Sequence, residues 1–312
     1  METAEKLRAL EGNIESVFLG KPGVVRRVIV TLIAHGHLLI EDVPGIGKTL
    51  LGIALARSIA ASFHRVQFTN DLLPSDILGV STFNQKDGRF EFREGPIFSN
   101  IILADEINRA TPKTQSALLE AMSDMKVSID GSPFPLPQPF MVIATQNPIE
   151  YHGTFPLPEA QLDRFFMRVR VGYPSLEEEK AIVREADLYA RAGALDPVLT
   201  HEEVVSLQER VAKVKVDDAL LEYVVKLADL TRREPTIRLG ISPRGALFLY
   251  RAAQANALIE GRDYCTPDDM RSLAAPVFAH RIIVESNLFG MARIEESERV
   301  IEETIRRVPA PV

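Results

Sequence analysis

The sequence predicts an α/β fold, with a five-stranded parallel sheet covered by helices on both faces, followed by an all-α domain. Five short apolar runs alternate with helix-forming segments in the first half of the chain, which is typical of parallel strands buried on both sides. Beyond residue 173 the apolar residues recur with helical spacing, and no strand pattern remains. A chain of 312 residues is long enough for two domains. We place the boundary where the strand pattern ends, which gives domains at 1–173 and 174–312.

The elements of the first domain follow from apolar periodicity and from glycine and proline punctuation. Asp-Gly turns between alternating residues predict two β-hairpins, over 82–92 and 126–138. The predicted sheet strands are 37–40, 63–68, 100–103, 140–145 and 165–171. The predicted helices are 3–19, 24–34, 50–61 and 112–125.

The second domain is predicted to be helical throughout. Apolar residues three and four positions apart mark each helix, and a last, charged helix carries Ile301 and Ile305 on one side. The predicted helices are 175–191, 201–214, 217–232, 243–260, 266–284 and 295–307. Such a domain is expected to pack beside the sheet as a lid.

Composition excludes several classes of function. The formal net charge of −7 gives no reason to expect a nucleic-acid partner or an anionic membrane surface. The single cysteine, Cys265, cannot form an internal disulfide, which fits a reducing compartment. No apolar run approaches the roughly 20 residues of a membrane span, and the acidic start does not resemble a signal peptide. We therefore expect a cytoplasmic protein without membrane insertion.

An eight-residue segment, Asp-Val-Pro-Gly-Ile-Gly-Lys-Thr, follows the first predicted strand and precedes a helix, which is the layout of a phosphate-binding P-loop. Gly45 and Gly47 let the backbone wrap around phosphate oxygens, and the helix N-terminus adds positive charge. Lys48 would reach the β- and γ-phosphates, and the Thr49 hydroxyl would bind Mg²⁺. Asp42 stands where the generic pattern has its first glycine, so a polar strand-to-helix turn is the alternative.

Polar residues also end the third and fourth predicted strands. Asp105 can hold Mg²⁺, and Glu106 can polarise the water that attacks the γ-phosphate, although an acidic strand end in solvent is the plainer alternative. Asn147 can orient that water or serve as a turn residue before Pro148. Because ligands bind beyond the carboxyl ends of parallel strands, we expect these side chains to converge with Lys48 at one edge of the sheet.

Two arginines are candidates for contact with the phosphates. Arg164 precedes the last predicted strand and could stabilise charge on a transferring phosphoryl group, often from a neighbouring subunit. Arg244 opens a helix of the second domain after Ser242 and Pro243, and could report the state of the phosphates to the lid. An arginine before a strand is usually a surface residue, which is the alternative for Arg164.

The order of these motifs resembles that of AAA+ ATPases. Four longer strings are more specific, and they resemble the MoxR family: EDVPGIGKT at 41–49, ADEINRA at 104–110, ATQNPIE at 144–150 and FPLPEAQLDRF at 155–165. The resemblance extends from about residue 14 to about residue 285. An aspartate at position 42 is familiar in that family, whereas Glu94 stands where the family usually has proline.

The resemblance implies a ring, commonly a hexamer, with ATP and Mg²⁺ bound between subunits. Arg164 would be the finger that acts on a neighbouring site, and Arg244 the second sensor, in cis or in trans. Residues of about 80–93 would form the helix-2 insert, and those of about 128–140 the pre-sensor-1 hairpin. The implied nucleotide-binding residues are Val17, Phe18, Gly20, Asp42, Pro44, Gly45, Ile46, Gly47, Lys48, Thr49 and Leu50.

The family also implies chaperone-like maturation of a separate protein partner, often one with a von Willebrand A domain. Two alternatives remain open: the motor subunit of a metal chelatase, and a nucleotide-gated switch that hydrolyses ATP slowly and recruits partners. A helicase is not favoured, because the predicted hairpins are poor in lysine and arginine.

Overall fold

The structure is a computed structural model that describes residues 3–86, 88–148, 153–185, 187–288 and 290–311. Asp87, at the turn of the first predicted hairpin, and Ile149 and Glu150, at the end of one motif, lie outside these ranges. The strands of the first domain are β1 (Leu38–Glu41), β2 (Phe63–Gln67), β3 (Gly79–Asn84), β4 (Arg89–Glu94), β5 (Ile101–Asp105), β6 (Lys126–Ile129), β7 (Ser132–Pro135), β8 (Met141–Gln146) and β9 (Met167–Val169). Its helices are α1 (Thr3–Glu15), α2 (Pro22–Ile33), α3 (Lys48–Ser58), α4 (Pro74–Leu78), α5 (Pro112–Asp124) and α6 (Glu159–Leu162).

The predicted five-stranded parallel sheet is confirmed, with the strand order β2-β5-β8-β1-β9. The central strands β5 and β8 are apolar and buried because helices cover both faces of the sheet. Their polar residues lie at the carboxyl ends, where Asp105 and Gln146 reach the edge of the sheet. This topology brings the ends of β5, β8 and β1 side by side.

Two antiparallel hairpins extend from this domain. Strand β3 pairs with β4 between α4 and β5, and β6 pairs with β7 after α5. The rings of Phe92 and Phe134, one from each hairpin, lie 4.3 Å apart between centroids. Near the tip of β3–β4, Phe83 and Phe90 are 55% and 74% exposed, so aromatic surface faces solvent there.

The second domain is mainly helical. Its helices are α7 (Leu176–Arg184), α8 (Leu188–Gly193), α9 (His201–Val211), α10 (Asp218–Arg233), α11 (Pro243–Ile259), α12 (Pro267–Phe278) and α13 (Gly290–Arg307). Where one helix was predicted over 175–191, the chain forms α7 and α8, because the Asp187 carboxylate accepts a hydrogen bond from the Ala190 N–H and starts a new helix. The placement of the domain boundary at residue 173 stays a prediction.

The expectation that no strand follows residue 173 was wrong. A two-stranded antiparallel ribbon joins β10 (Ile237–Leu239) to β11 (Ile283–Val284), and α12 ends five residues before the latter. Strands of three and two residues are too short to show an alternating pattern. The ribbon ties the loop before α11 to the segment after α12.

Both domains contribute to one hydrophobic cluster. Leu7 and Leu10 of α1 are fully buried in it together with Ala253 of α11, and Leu258 of the same helix is also buried. The lid is therefore packed against the first domain by apolar contacts. Within the described ranges, no helix combines the length and apolar character needed to cross a membrane.

Candidate active site

Two adjoining cavities open beside the segment that links β1 to α3. One, of about 350 Å³, is lined mainly by apolar side chains, and the other, of about 220 Å³, by polar ones. Gly45, Gly47 and Tyr189 line both. The polar cavity is lined by Pro44, Gly45, Gly47, Lys48, Thr49, Arg65, Gln67, Asp105, Glu106, Asn147 and Tyr189.

The phosphate loop has the backbone that its glycines predict. Gly45 and Gly47 have φ angles of +83° and +86°, which side-chain-bearing residues adopt at a cost. Helix α3 begins at Lys48, directly after the loop, so its N-terminus faces the polar cavity. Burial lowers the pKa of the Lys48 ammonium, while Asp42, Asp105 and Glu106 act in the opposite direction.

The Lys48 ammonium donates a hydrogen bond of 2.8 Å to the backbone carbonyl of Asp42. The Asp42 side chain itself lies outside both cavities, contrary to what its place in the motif suggested. It is 3% exposed, and its carboxylate accepts hydrogen bonds from the backbone N–H groups of Val43, Val171 and Gly172. A carboxylate so occupied is not free to face a phosphate group.

Strand β5 delivers Asp105 to the polar cavity. Asp105 Oδ1 accepts a hydrogen bond of 2.7 Å from the hydroxyl of Thr145 on the neighbouring strand β8. Its other oxygen accepts two from the Arg65 guanidinium on β2, at 3.1 and 2.6 Å. The carboxylate is thus oriented by both strands that flank β5.

Glu106 is held in an uncommon backbone conformation. Its φ is +57°, in the left-handed region, and its N–H donates to the Thr145 hydroxyl at 2.9 Å. The carboxylate accepts a hydrogen bond of 2.9 Å from Gln67 Nε2 and forms an ion pair with Arg109, whose Nε lies 2.9 Å from it. A single hydroxyl on β8 therefore fixes Asp105 and Glu106 together.

The structure brings eight predicted residues together in the polar cavity. These are Pro44, Gly45, Gly47, Lys48, Thr49, Asp105, Glu106 and Asn147. Asn147 follows β8 and is buried, with 7% of its surface exposed. Sequence reasoning missed the contributions of Thr145, Arg65 and Gln67. The signal for Thr145 was a hydroxyl in an otherwise apolar strand.

The apolar cavity is lined by several of the predicted nucleotide-binding residues. Val17, Phe18, Ile46 and Leu50 line it, while Gly20 lies beside it against the side chain of Glu178. The opposite side of this cavity was not foreseen. It is formed by the connection between the domains and by the first lid helices, with Val171, Gly172, Tyr173, Pro174, Glu179, Ile182, Val183, Leu188 and Tyr189.

The two candidate arginines do not line either cavity. The Arg164 guanidinium donates to the Leu119 carbonyl at 2.6 Å and to the Ser123 hydroxyl at 2.9 Å, both on α5. Arg244 is exposed at the start of α11. Burial lowers the pKa of the Arg281 guanidinium to about 10, although Asp163 acts in the opposite direction. The charge of nearby Arg244 contributes to the lowering.

Asp163, the residue before Arg164, joins the chain segments that carry Arg164 and Arg244. Asp163 accepts a hydrogen bond of 3.0 Å from Arg281 Nε and is bonded at 3.0 and 3.1 Å by the Ser242 hydroxyl. The start of α11 is therefore held against the segment that carries Arg164.

The donor set at the polar cavity fits a hard divalent cation. Thr49 and Asp105 offer a hydroxyl and a carboxylate oxygen, and oxygen ligands are what Mg²⁺ prefers. Across the residues that the structure describes, no group of three or more His, Cys, Asp or Glu side chains is placed so that it could hold a metal ion by itself. A cation here would therefore depend on further oxygens from a phosphate group or water.

Comparisons with known proteins agree with this geometry. The ATPase family associated with various cellular activities (AAA) matches residues 37–167, and the AAA lid domain matches residues 229–304. The uncharacterized protein YeaC of Bacillus subtilis is 48% identical to this chain, covering 96% of it and 93% of YeaC. Chaperone MoxR1 of Mycobacterium tuberculosis is 40% identical to this chain, and the match covers 96% of this chain and 81% of MoxR1.

A solved structure shows the same architecture. A crystal structure from Cytophaga hutchinsonii, provisionally described as an ATPase, matches with a TM-score of 0.89 and 36% identity, covering 99% of this chain and 96% of the other. A magnesium-chelatase 38 kDa subunit of Acidiphilium rubrum is more distant, at 30% identity over 62% of this chain and 56% of its own.

Proposed function

The chain belongs to the MoxR family of AAA+ ATPases, and we propose that it hydrolyses ATP with the two adjoining cavities as one substrate site. The apolar cavity suits a nucleotide base, and the polar cavity suits the phosphates, because loop glycines, a lysine and a helix N-terminus meet there. The observation that carries the proposal is the convergence of Lys48, Asp105 and Glu106 on one small cavity.

We assign Glu106 as the base that accepts a proton from the attacking water. Thr145 fixes its backbone, and Gln67 and Arg109 hold its carboxylate at the cavity wall. Asn147, at the end of the neighbouring strand, is proposed to orient the water. Glu106 directly follows β5, and Thr145 and Asn147 lie at the end of the neighbouring strand β8. The sheet therefore sets the spacing of these three residues.

Lys48, Thr49 and Asp105 are proposed to hold the phosphates and Mg²⁺. Lys48 would exchange its bond to the Asp42 carbonyl for one to a phosphate oxygen. Bound Mg²⁺ would neutralise charge that develops on the phosphate oxygens. Arg65 bonds the same Asp105 carboxylate that a cation would use, so it keeps that charge compensated in the nucleotide-free chain.

A neighbouring subunit is proposed to complete each site. Arg164 and Arg244 lie outside both cavities, and Asp163 holds their two segments together through Ser242 and Arg281. Because one cluster carries both arginines, we assign both to act in trans, on the nucleotide of the adjacent subunit. A closed ring, hexameric by analogy with the family, provides such a neighbour at every site.

The work done with ATP is proposed to be chaperone-like remodelling of a separate protein partner. Support comes from the relative named Chaperone MoxR1 and from the exposed aromatic pair Phe83 and Phe90 on the β3–β4 hairpin. Exposed aromatic residues are common at protein-binding surfaces. A partner that carries a von Willebrand A domain is the form expected from the family.

A slow nucleotide-gated assembly switch is a second candidate. It is favoured by the position of Arg164 and Arg244 outside both cavities, since a site that lacks both arginines would hydrolyse ATP slowly until a neighbour supplies them. The chelatase motor is less favoured, because the chelatase relative covers 62% of this chain against 96% for MoxR1.

The test is the Glu106→Gln variant, assayed for phosphate release and for ATP binding. Loss of the base is expected to lower turnover about 10²- to 10⁴-fold while the affinity for ATP stays within about threefold. Glu120→Gln, an exposed change on α5, is the matched control and should leave turnover unchanged. Near-normal hydrolysis by Glu106→Gln would reject the assignment.

The same variant identifies the partner. Held in the ATP state, Glu106→Gln is expected to retain a bound protein in a pull-down more strongly than Lys48→Ala, which should not bind ATP. Recovery of a von Willebrand A protein would support the chaperone reading. If wild-type turnover is as slow as that of Glu106→Gln, the assembly switch is supported instead.

A further inference from the structure

Asp42 has an unusual set of partners for the first residue of a phosphate loop. One oxygen accepts the Val43 N–H at 2.8 Å, and the other accepts the N–H groups of Val171 and Gly172 at 2.7 and 2.6 Å. All three donors are backbone amides, and the carboxylate is buried. Charge-assisted hydrogen bonds of this length are the stronger kind. The carboxylate therefore binds the loop to a distant segment of the chain.

That segment is the connection between the two domains. Val171 and Gly172 follow β9, and Tyr173 and Pro174 lead to α7, the first helix of the lid. All four residues line the apolar cavity together with Gly45 and Gly47 of the loop. A displacement of the loop at Asp42 would therefore reach both the wall of the cavity and the start of α7.

The backbone of Asp42 is tied to the phosphate-binding lysine as well. Its carbonyl oxygen accepts the Lys48 ammonium at 2.8 Å, and its N–H donates to the Gln146 carbonyl of β8 at 3.1 Å. A phosphate group that draws Lys48 away removes one bond from Asp42 and leaves the others. Asp42 thus has one hydrogen bond that depends on whether a phosphate group is bound to Lys48. Two others reach Val171 and Gly172 in the connection between the domains.

We propose that Asp42 is a positioning residue that couples occupancy of the phosphate loop to the position of α7. This inference rests on the proposed ATP binding. It explains why a glycine at position 42, as in the generic motif, would not be equivalent here. Glycine keeps the turn but has no acceptor for Val171 and Gly172. Asparagine has a single acceptor oxygen, so its NH2 group must face either the Val43 N–H or the N–H groups of Val171 and Gly172.

Amide hydrogen exchange in α7, with and without the non-hydrolysable analogue AMP-PNP and Mg²⁺, tests the coupling. In the wild type the analogue is expected to slow exchange of the Leu176–Arg184 amides. In Asp42→Asn and Asp42→Gly this slowing should fall about fivefold or more. The Kd for the analogue, measured by calorimetry, should rise less than the coupling falls, since Lys48 and the loop amides remain.

Arg170→Met is the matched control, because Arg170 directly precedes Val171 but forms ion pairs with Glu295 and Glu298 of α13, at 3.1 and 3.5 Å, outside both cavities. It should keep the nucleotide-dependent slowing. If it loses the slowing as fully as Asp42→Asn, or if both Asp42 variants respond like the wild type, the inference is overturned. A wild type that does not bind the analogue would overturn the proposed function itself. If Asp42→Asn does not fold, Asp42→Gly decides alone.

Discussion

The polar cavity and the pair formed by Arg164 and Arg244 are built in different ways. The cavity gathers Asp105 and Glu106 from the end of β5 and Lys48 from the start of α3, after the loop that follows β1. The two arginines come from a loop and a lid helix, and their segments are joined by hydrogen bonds to Asp163. One region holds residues proposed to bind and hydrolyse ATP, and the other lines neither cavity.

The difference separates what one chain can do from what it needs a neighbour to do. Substitutions in the cavity should damage the site of the subunit that carries them. Substitutions of the arginines should damage the site next to it, if the proposed ring forms. Mixing experiments can therefore tell the two regions apart, because only the second kind of defect can be supplied by another subunit.

The largest effect is expected for Arg164→Ala, with hydrolysis reduced about 10³-fold or more, as for other arginine fingers. The charge that Arg164 would bring to the transferring phosphoryl group is lost, while Lys48 and the loop still bind ATP. Phosphate release and ATP affinity should be measured side by side. The affinity is expected to change little.

Mixed assemblies decide where Arg164 acts. Subunits with Lys48→Ala have a defective site and an intact Arg164, so their addition to Arg164→Ala subunits should restore hydrolysis. Ser123→Ala removes one partner of the Arg164 guanidinium on α5 without removing its charge, and serves as the control. Absence of restoration would place Arg164 in its own site, and the contrast between the two regions would fail.

A smaller but direct effect is expected for Lys48→Ala in the cavity. The lysine is half-buried and would pair with phosphate charge, so its loss should weaken ATP binding by about 2–5 kcal/mol. Calorimetry against Lys86→Ala, an exposed lysine on the β3–β4 hairpin, provides the comparison. Retained tight binding would remove the phosphate loop from the proposal, and no second subunit should repair this defect.

Much of the sheet edge could be predicted because it follows from local rules. Apolar runs identify buried parallel strands, and such strands place Asp105, Glu106 and Asn147 at one edge whatever their exact order. The glycines of the phosphate loop predict its backbone. These inferences need only the residues near each motif.

The remaining features depend on which strands are neighbours. Thr145, Arg65 and Gln67 act because β8 and β2 flank β5, and that order cannot be read from a single strand. The direction of the Asp42 side chain depends on the return of the chain at Val171 after more than a hundred residues. Strands as short as β10 and β11 leave no periodic signal.

The smallest expected effect tests this dependence on neighbouring strands. Thr145→Val keeps the shape of a fully buried side chain but removes the hydroxyl that binds Asp105 and the Glu106 N–H. An unsatisfied buried N–H costs about 1–3 kcal/mol, so the free energy of unfolding in urea should fall by that amount. Turnover should also fall, because Glu106 loses the bond that fixes its left-handed backbone.

Thr145→Ser retains the hydroxyl and should restore both quantities, apart from the loss of one methyl group. Thr304→Val is the control for stability alone. It removes a hydrogen bond from the Thr304 hydroxyl to the Val300 carbonyl on α13, which is far along the chain from either region. If Thr145→Val lowers stability without lowering turnover, the hydroxyl supports only the fold. A defect in turnover that wild-type subunits cannot repair would place Thr145 with the cavity, since it acts on the site of its own chain.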